Sequence, residues 1–206
     1  MQLTRRQREL ISEAKEIAAV TKTNFADFDE DIDPDYLSVH LKLAIRNMVI
    51  AHVITRYTLM DEILSDVVAK YFFTVQKKKL HFGKLWRTKK FRIFVHHMLD
   101  EMYLMKKADI VHAIKPIPRD VRDHLNKLNA LRNALAHSFF PENRRENRKT
   151  KKVQYAGVDI FTYEGIERFE DDWHPAFTKL AKRVYIGWKD TWTGWAGSET
   201  QDGPTR

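Results

Sequence analysis

The sequence predicts an all-α protein: an up-and-down helical bundle of four principal helices with an extra N-terminal helix and a C-terminal extension. Three observations predict it. Apolar residues recur at helical spacing along most of the chain, glycine is scarce at 7 of 206 residues, and only one short stretch alternates as a strand does.

The first amphipathic helix is expected over residues 4–20, with Leu10, Ile11, Ala14, Ile17 and Ala18 turned inward and Thr4 as N-cap. The Asp-rich linker ADFDEDIDPDY then leads into a long second helix that starts at Pro34 or Asp35 and ends at Phe73. Its wet stripe carries Thr55, Thr58, Glu62, Asp66 and Lys70. Its dry stripe carries Met60, Ile63, Leu64, Val67, Val68 and Tyr71, with Asp61 on the border. A basic loop enters a third helix expected over residues 90–107. A fourth covers residues 121–137, where Val121, Leu125, Leu128, Leu131 and Leu135 share one side.

Around Ala156 and Gly157 the text VQYAGVDIFTY alternates enough to predict a small β-hairpin. The last helix is expected over residues 163–188, interrupted or restarted at Pro175 and burying Ile166, Phe169, Phe177, Leu180, Val184 and Tyr185. Trp188, Trp192 and Trp195 follow at i, i+4, i+7, a spacing that suits packing against the chain's own domain better than base stacking or a subunit surface. The closing SETQDGPTR has the composition of a disordered tail. The expected organisation is an N-terminal helix and acidic linker over residues 1–34, a helical domain over 35–187 and a Trp-containing tail over 188–206.

A formal charge of +8 favours polyanionic partners, and the lack of cysteine excludes disulfides and thiolate metal sites. The opening MQLTRRQRELISEAKE is too charged for a secretory core, and no run of 18 uncharged apolar residues occurs, so a cytoplasmic protein without a membrane partner is expected. Phosphate-binding and dinucleotide-binding glycine loops are absent from the sequence. His97 and Glu101 stand one turn apart on the expected third helix, but nothing supplies a convincing third ligand, so no metal site is expected.

Residues 75–92 hold eight Lys or Arg, among them Lys77, Lys78, Lys79, Lys84, Arg87, Lys89 and Lys90, with Phe82, Trp86 and Phe91 between them. Cations bind phosphate without regard to sequence and aromatics stack on unpaired bases, so this mix suits single-stranded RNA; a solvated loop with apolar anchors fits it equally well. A second basic run, ENRRENRKTKK, brings Arg144, Arg145 and Arg148 close after residue 137, where they could bind RNA phosphates; as a free tail the run would merely be solvated.

The most informative text is Arg132-Asn133-Ala134-Leu135-Ala136-His137. Asn133 and His137 are one turn apart and Arg132 flanks them, so a fixed cation, an amide and a group that ordinarily titrates near neutrality converge. Such a trio handles phosphate. Arg132 also falls among the apolar residues of its helix; turned inward, its charge needs compensation, and Asp61 is better placed than Glu62 to meet it across the bundle. The bland alternative takes Arg132 as a core-edge ion pair and His137 as a helix-end residue favoured by the macrodipole.

The R-x4-H spacing late in a helical domain, the Asn after the Arg, the surrounding LNALRNALAHS and the earlier LMDEILSDVVAKYFF together resemble the HEPN (higher eukaryotes and prokaryotes nucleotide-binding) superfamily of ribonucleases. The likeness covers residues 35–187. It implies a HEPN-like bundle and RNA cleavage without metal or cofactor, by attack of a ribose 2′-hydroxyl on the adjacent phosphorus. It further implies His137 as acid or base, Arg132 on the phosphoryl oxygens, Asn133 orienting, Asp61 and Glu62 supporting, and a C2 homodimer that sets two motifs face to face.

In the superfamily's toxins a Tyr two residues past the His is modified by a cognate antitoxin. Phe139 stands at that position here, which puts such control in doubt and favours a stand-alone or phage-defence nuclease. The competing readings are a HEPN-like module that binds nucleotide, RNA or protein without cleaving, and a basic helical DNA-binding regulator, which no helix-turn-helix supports.

Overall fold

The computed structural model describes residues 3–24, 34–73, 82–137 and 153–184, with the backbone alone for Pro34, Asp35, Phe82, Gly83 and His137. Over these residues the chain is mostly helical, with one two-stranded hairpin. Helix α1 (Arg5–Thr21) starts at a reciprocal cap: Thr4 Oγ1 accepts from the Gln7 backbone N–H at 3.2 Å, and Gln7 Oε1 accepts from the Thr4 N–H at 2.8 Å. It ends at Lys22, whose left-handed φ of 56° lets the Lys22 and Thr23 N–H groups both reach the Ala18 carbonyl.

Helix α2 (Pro34–Phe73) is the spine, 40 residues and so about 60 Å long. Met60, Ile63, Leu64, Val67 and Val68 are buried as its periodicity predicts, and Glu62 is exposed. Tyr71 departs from the expectation: it is 61% exposed and meets the Phe72 ring edge-on, while Phe73 carries the packing of that last turn against Phe91 and Phe94. By length and composition, residues Tyr36–Phe73 would suffice to cross a bilayer. In this fold α1, α5, α6 and α7 all pack on that helix, and the central helix of a bundle needs the same composition.

The expected helix over 90–107 is two helices with a reversal between them. A short α3 (Phe82–Leu85) precedes α4 (Lys89–Phe94), which Thr88 caps and which continues as a π-helical turn, Val95–Leu99, marked by the Asp100 N–H donating to the Val95 carbonyl at 2.9 Å. This segment runs back along α2, from Phe91 and Phe94 against Phe73 to Leu99 and Asp100 in the neighbourhood of Asp61. The chain then turns at Asp100–Met102, and α5 (Leu104–Ile114) runs forward again.

Helix α6 (Arg119–His137) returns, with Arg122 on Asp109 at 2.7 Å near its start and Arg132 over Tyr57 near its end. Val121, Leu125, Leu128, Leu131 and Leu135 are all buried, as expected. Each fully buried leucine contributes about 2 kcal/mol. Helix α7 (Tyr163–Val184) runs forward alongside α2: Glu170 faces His52 and Arg56, while Lys70 donates to the Arg183 and Val184 carbonyls at 2.7 and 2.9 Å. It continues through Pro175 where an interruption was expected. Pro175 and Asp171 are both exposed, so the carbonyl that the proline leaves without an N–H partner meets water. Ile166, Phe169, Phe177, Leu180 and Val184 are buried; Tyr185, the three tail tryptophans and the closing residues lie outside the described residues.

The predicted hairpin is present as β1 (Gln154–Tyr155) and β2 (Val158–Asp159), with Tyr155 opposite Val158. Ala156 and Gly157 both have positive φ, 48° and 85°, the combination that matches a two-residue turn to the strands' twist. The hairpin backbone lies so close to α7 that a Cβ at Gly165 would overlap the Asp159 carbonyl.

Candidate functional site

Arg132 and Asn133 sit in the last turns of α6, exposed, at the edge of an open cleft of about 490 Å³. Three elements build it. Helix α2 supplies Tyr57 and Asp61, the turn before α5 supplies Asp100, Glu101 and Tyr103, and α6 supplies Asn129, Arg132 and Asn133. The two expected α6 residues are therefore neighbours in space as in sequence: Arg132 Nη1 donates to Asn133 Oδ1 at 3.2 Å. The guanidinium also lies 5.6 Å from the centre of the half-buried Tyr57 ring. Burial, and then Asp61, push the Tyr57 hydroxyl's pKa up, while Arg132 and a hydrogen bond from the Leu104 backbone N–H oppose them. His137 lies one helical turn past Asn133, and its side chain is outside the described residues.

The expected Asp61–Arg132 pair does not form. Asp61 Oδ2 instead accepts from Lys107 Nζ at 2.5 Å. The reason is solvation. Lys107 is 3% exposed, and an ammonium at that depth needs a carboxylate, whereas Arg132 is solvated on the surface and needs none. No carboxylate pairs with Arg132 among the described residues, so its remaining N–H groups are available to a ligand. Nor does Arg132 turn inward among the leucines. Its aliphatic stem and charge stay at the cleft's edge.

Glu62 does not line this cleft. It faces a second one of about 460 Å³ between α2 and the α4–π segment, which shares Asp61 and Asp100 with the first and has Trp86 and Phe91 in its wall. Of the basic residues expected to meet RNA, Lys84, Arg87, Lys89 and Lys90 are exposed on α3, α4 and the turn between them. Lys77, Lys78 and Lys79 lie outside the described residues, as do Arg144, Arg145 and Arg148. Phe91 is a buried anchor, packed edge-on against Phe73 and Trp86; Trp86 is exposed and open to a base, and the Phe82 side chain lies outside the described residues.

Sequence reasoning missed Tyr57, Lys107 and Tyr103, and weighed Glu101 only as a metal ligand beside His97, not as part of the Arg132 cleft. For Lys107 a signal existed: it lies with Leu104, Ala108 and Val111 on the buried stripe of α5, where a lysine requires a partner. Nothing marked Tyr57 or Tyr103, and nothing tied Glu101 to Arg132, because their elements meet only in the folded chain.

Two further polar networks lie in the core. Glu170 accepts from Arg56 through two bonds of 2.8 Å and meets His52 Nε2 at 2.8 Å. Burial alone would raise the Glu170 pKa, but the His52 and Arg56 hydrogen bonds outweigh it and hold the carboxyl below its ordinary range. In the other, Tyr155 donates to Asp172 at 2.8 Å and so must accept from His124 Nδ1 at 2.9 Å. That fixes the tautomer and leaves His124 Nε2 as a bare buried lone pair without a partner among the described residues. Burial pulls the pKa of His124 down to about 4. Both networks fasten helices and neither opens on the Arg132 cleft.

No family model, curated protein or solved structure matches the chain.

Proposed function

We propose that the chain is a metal-independent RNA endonuclease with a HEPN-like bundle, acting in toxin-like or phage-defence roles. The observation that carries this reading is Arg132: an arginine without a carboxylate partner among the described residues, at the rim of an open cleft and beside Asn133, which stands one turn before His137. A planar guanidinium with spare donors suits two phosphoryl oxygens better than an ammonium does.

In the proposed reaction the ribose O2′ attacks the adjacent phosphorus while its proton passes to a base. The P–O5′ bond breaks, and O5′ takes a proton from an acid, leaving a 2′,3′-cyclic phosphate and a 5′-hydroxyl. Arg132 offsets the charge that grows on the phosphoryl oxygens. His137 serves as base or acid, and Asn133 orients it or the phosphate. A single imidazole does not supply both proton transfers in one step, so the proposal includes a C2 homodimer that pairs two motifs across the axis. Asp61 acts indirectly by holding Lys107 in place behind the cleft, and the exposed cations of α3 and α4 hold the RNA strand.

The test is cleavage of generic RNA by the purified chain in EDTA, with product ends analysed. Cyclic phosphate ends, lost in His137→Ala and in Arg132→Ala of unchanged helical content, are the expected result. Each substitution should lower the rate by roughly two orders of magnitude or more. Cleavage of all-DNA, or a strict need for added Mg²⁺, overturns the mechanism; RNA binding without cleavage leaves a non-catalytic binding module.

A further inference from the structure

We infer that the Arg132 cleft binds a single nucleotide and selects guanine, with Glu101 reading the base, Tyr103 against its face and Arg132 on its 3′-phosphate; this rests on the endonuclease reading and gives it a substrate preference. The charges in the cleft point this way. Arg132 is its one arginine or lysine among the described residues, against Asp61, Asp100 and Glu101, so a polyanion would be repelled from the side opposite Arg132. What suits that side is a neutral group rich in N–H donors.

The three carboxylates are not equivalent. Asp61 is engaged by Lys107, and Asp100 meets His96 Nδ1 at 3.1 Å. Glu101 has no hydrogen bond or ion pair among the described residues, so both of its oxygens can accept. Among the four bases only guanine presents two adjacent donors, N1–H and the N2 amino group, along its Watson–Crick edge. Adenine and cytosine set an acceptor nitrogen beside their amino group, and uracil flanks N3–H with two carbonyls. Those lone pairs would face a carboxylate repulsively.

The rest of the lining fits a base. Tyr103 is 66% exposed at the N-cap of α5, a large aromatic face that the core leaves open. Asn129, half-buried and without a partner among the described residues, offers an amide donor of the kind that guanine O6 accepts. A volume of about 490 Å³ accommodates one nucleotide, and single-stranded RNA is read by splaying bases into such sites.

The experiment titrates the whole chain, in EDTA, with 2′-deoxyguanosine 3′-monophosphate and its adenine, cytosine and thymine counterparts, which lack the attacking hydroxyl and stay intact. Calorimetry should give the guanine nucleotide at least about ten-fold tighter binding than the others, the scale of one charge-assisted hydrogen bond. Glu101→Gln should remove most of that preference, weakening the guanine nucleotide and relieving the repulsion of the other three, and Tyr103→Ala should weaken all four alike. Equal affinity for the four, binding of none, or a preference that survives Glu101→Gln overturns the inference. Selective binding by a chain that cuts no RNA would sink the endonuclease reading alone. Cleavage with no preference for guanosine on the 5′ side of the broken bond would sink the guanine assignment alone.

Discussion

Lys107 Nζ donates to Asp61 Oδ2 at 2.5 Å, and the pair joins α5 to α2 where two clefts meet. Since the lysine is almost wholly buried and Asp61 is partly open, the cost of breaking the pair falls on the ammonium. Asp61→Ala should therefore destabilise the chain by about 3 kcal/mol. Adding Lys107→Met, which removes the stranded charge and keeps the volume, should recover much of that loss. Denaturant unfolding of the two single variants and the double one checks it; additive losses would show that the pair is not coupled.

Lys84, Arg87, Lys89 and Lys90 are exposed and lie away from the Arg132 cleft, so they can hold a strand without touching the reacting bond. Neutralising the four to Gln should weaken RNA binding and flatten the dependence of log Kd on log salt, by about 0.7 in slope for each phosphate that is no longer neutralised. The bond that is cut should stay the same. An unchanged slope would leave this segment a solvated surface with Phe91 as its anchor.

Ala130, Ala134 and Ala136 are exposed around the motif, so a large residue there does not crowd the monomer's core. Ala134→Trp should keep helical content and unfolding midpoint near those of the parent while abolishing cleavage, because the close crossing of two α6 helices would be blocked. Mixing Arg132→Ala with His137→Ala chains should restore part of the activity if one intact Arg and one intact His meet across the axis. A chain that sediments as a monomer and cuts at the parent rate would end the dimeric-site proposal.

The long helices were legible because their apolar periodicity is uninterrupted: the stripe Val121, Leu125, Leu128, Leu131, Leu135 is buried throughout. The reversal at Asp100–Met102 was not, since residues 90–107 contain neither Gly nor Pro and each half has good helical spacing; the turn is imposed when Phe91 and Leu99 pack back along α2. Arg132 and Asn133 were legible because they are adjacent in sequence. Their cleft was not, because Tyr57 and Glu101 arrive from elements 75 and 31 residues earlier than Arg132, and no local pattern ties either of them to it.

His124 gives a pH dependence whose sign follows from its buried neutral state. Its folded pKa, about 4, lies below the ordinary value of 6.5, so as pH falls the unfolded chain takes up the proton first. The contribution is fully present above about pH 6.5 and is lost progressively toward pH 4, amounting to about 3 kcal/mol. The Glu170 carboxyl, held below its ordinary 4.5, adds a loss of the same sign at lower pH, so the interval from about 5 to 6.5 isolates the histidine. Unfolding free energies measured across that interval should fall with acidification in the parent chain. They should change far less in His124→Phe, which keeps a ring beside Phe169 and leaves the Tyr155 hydroxyl donating to Asp172. A slope as steep in His124→Phe as in the parent would show that some other group carries it.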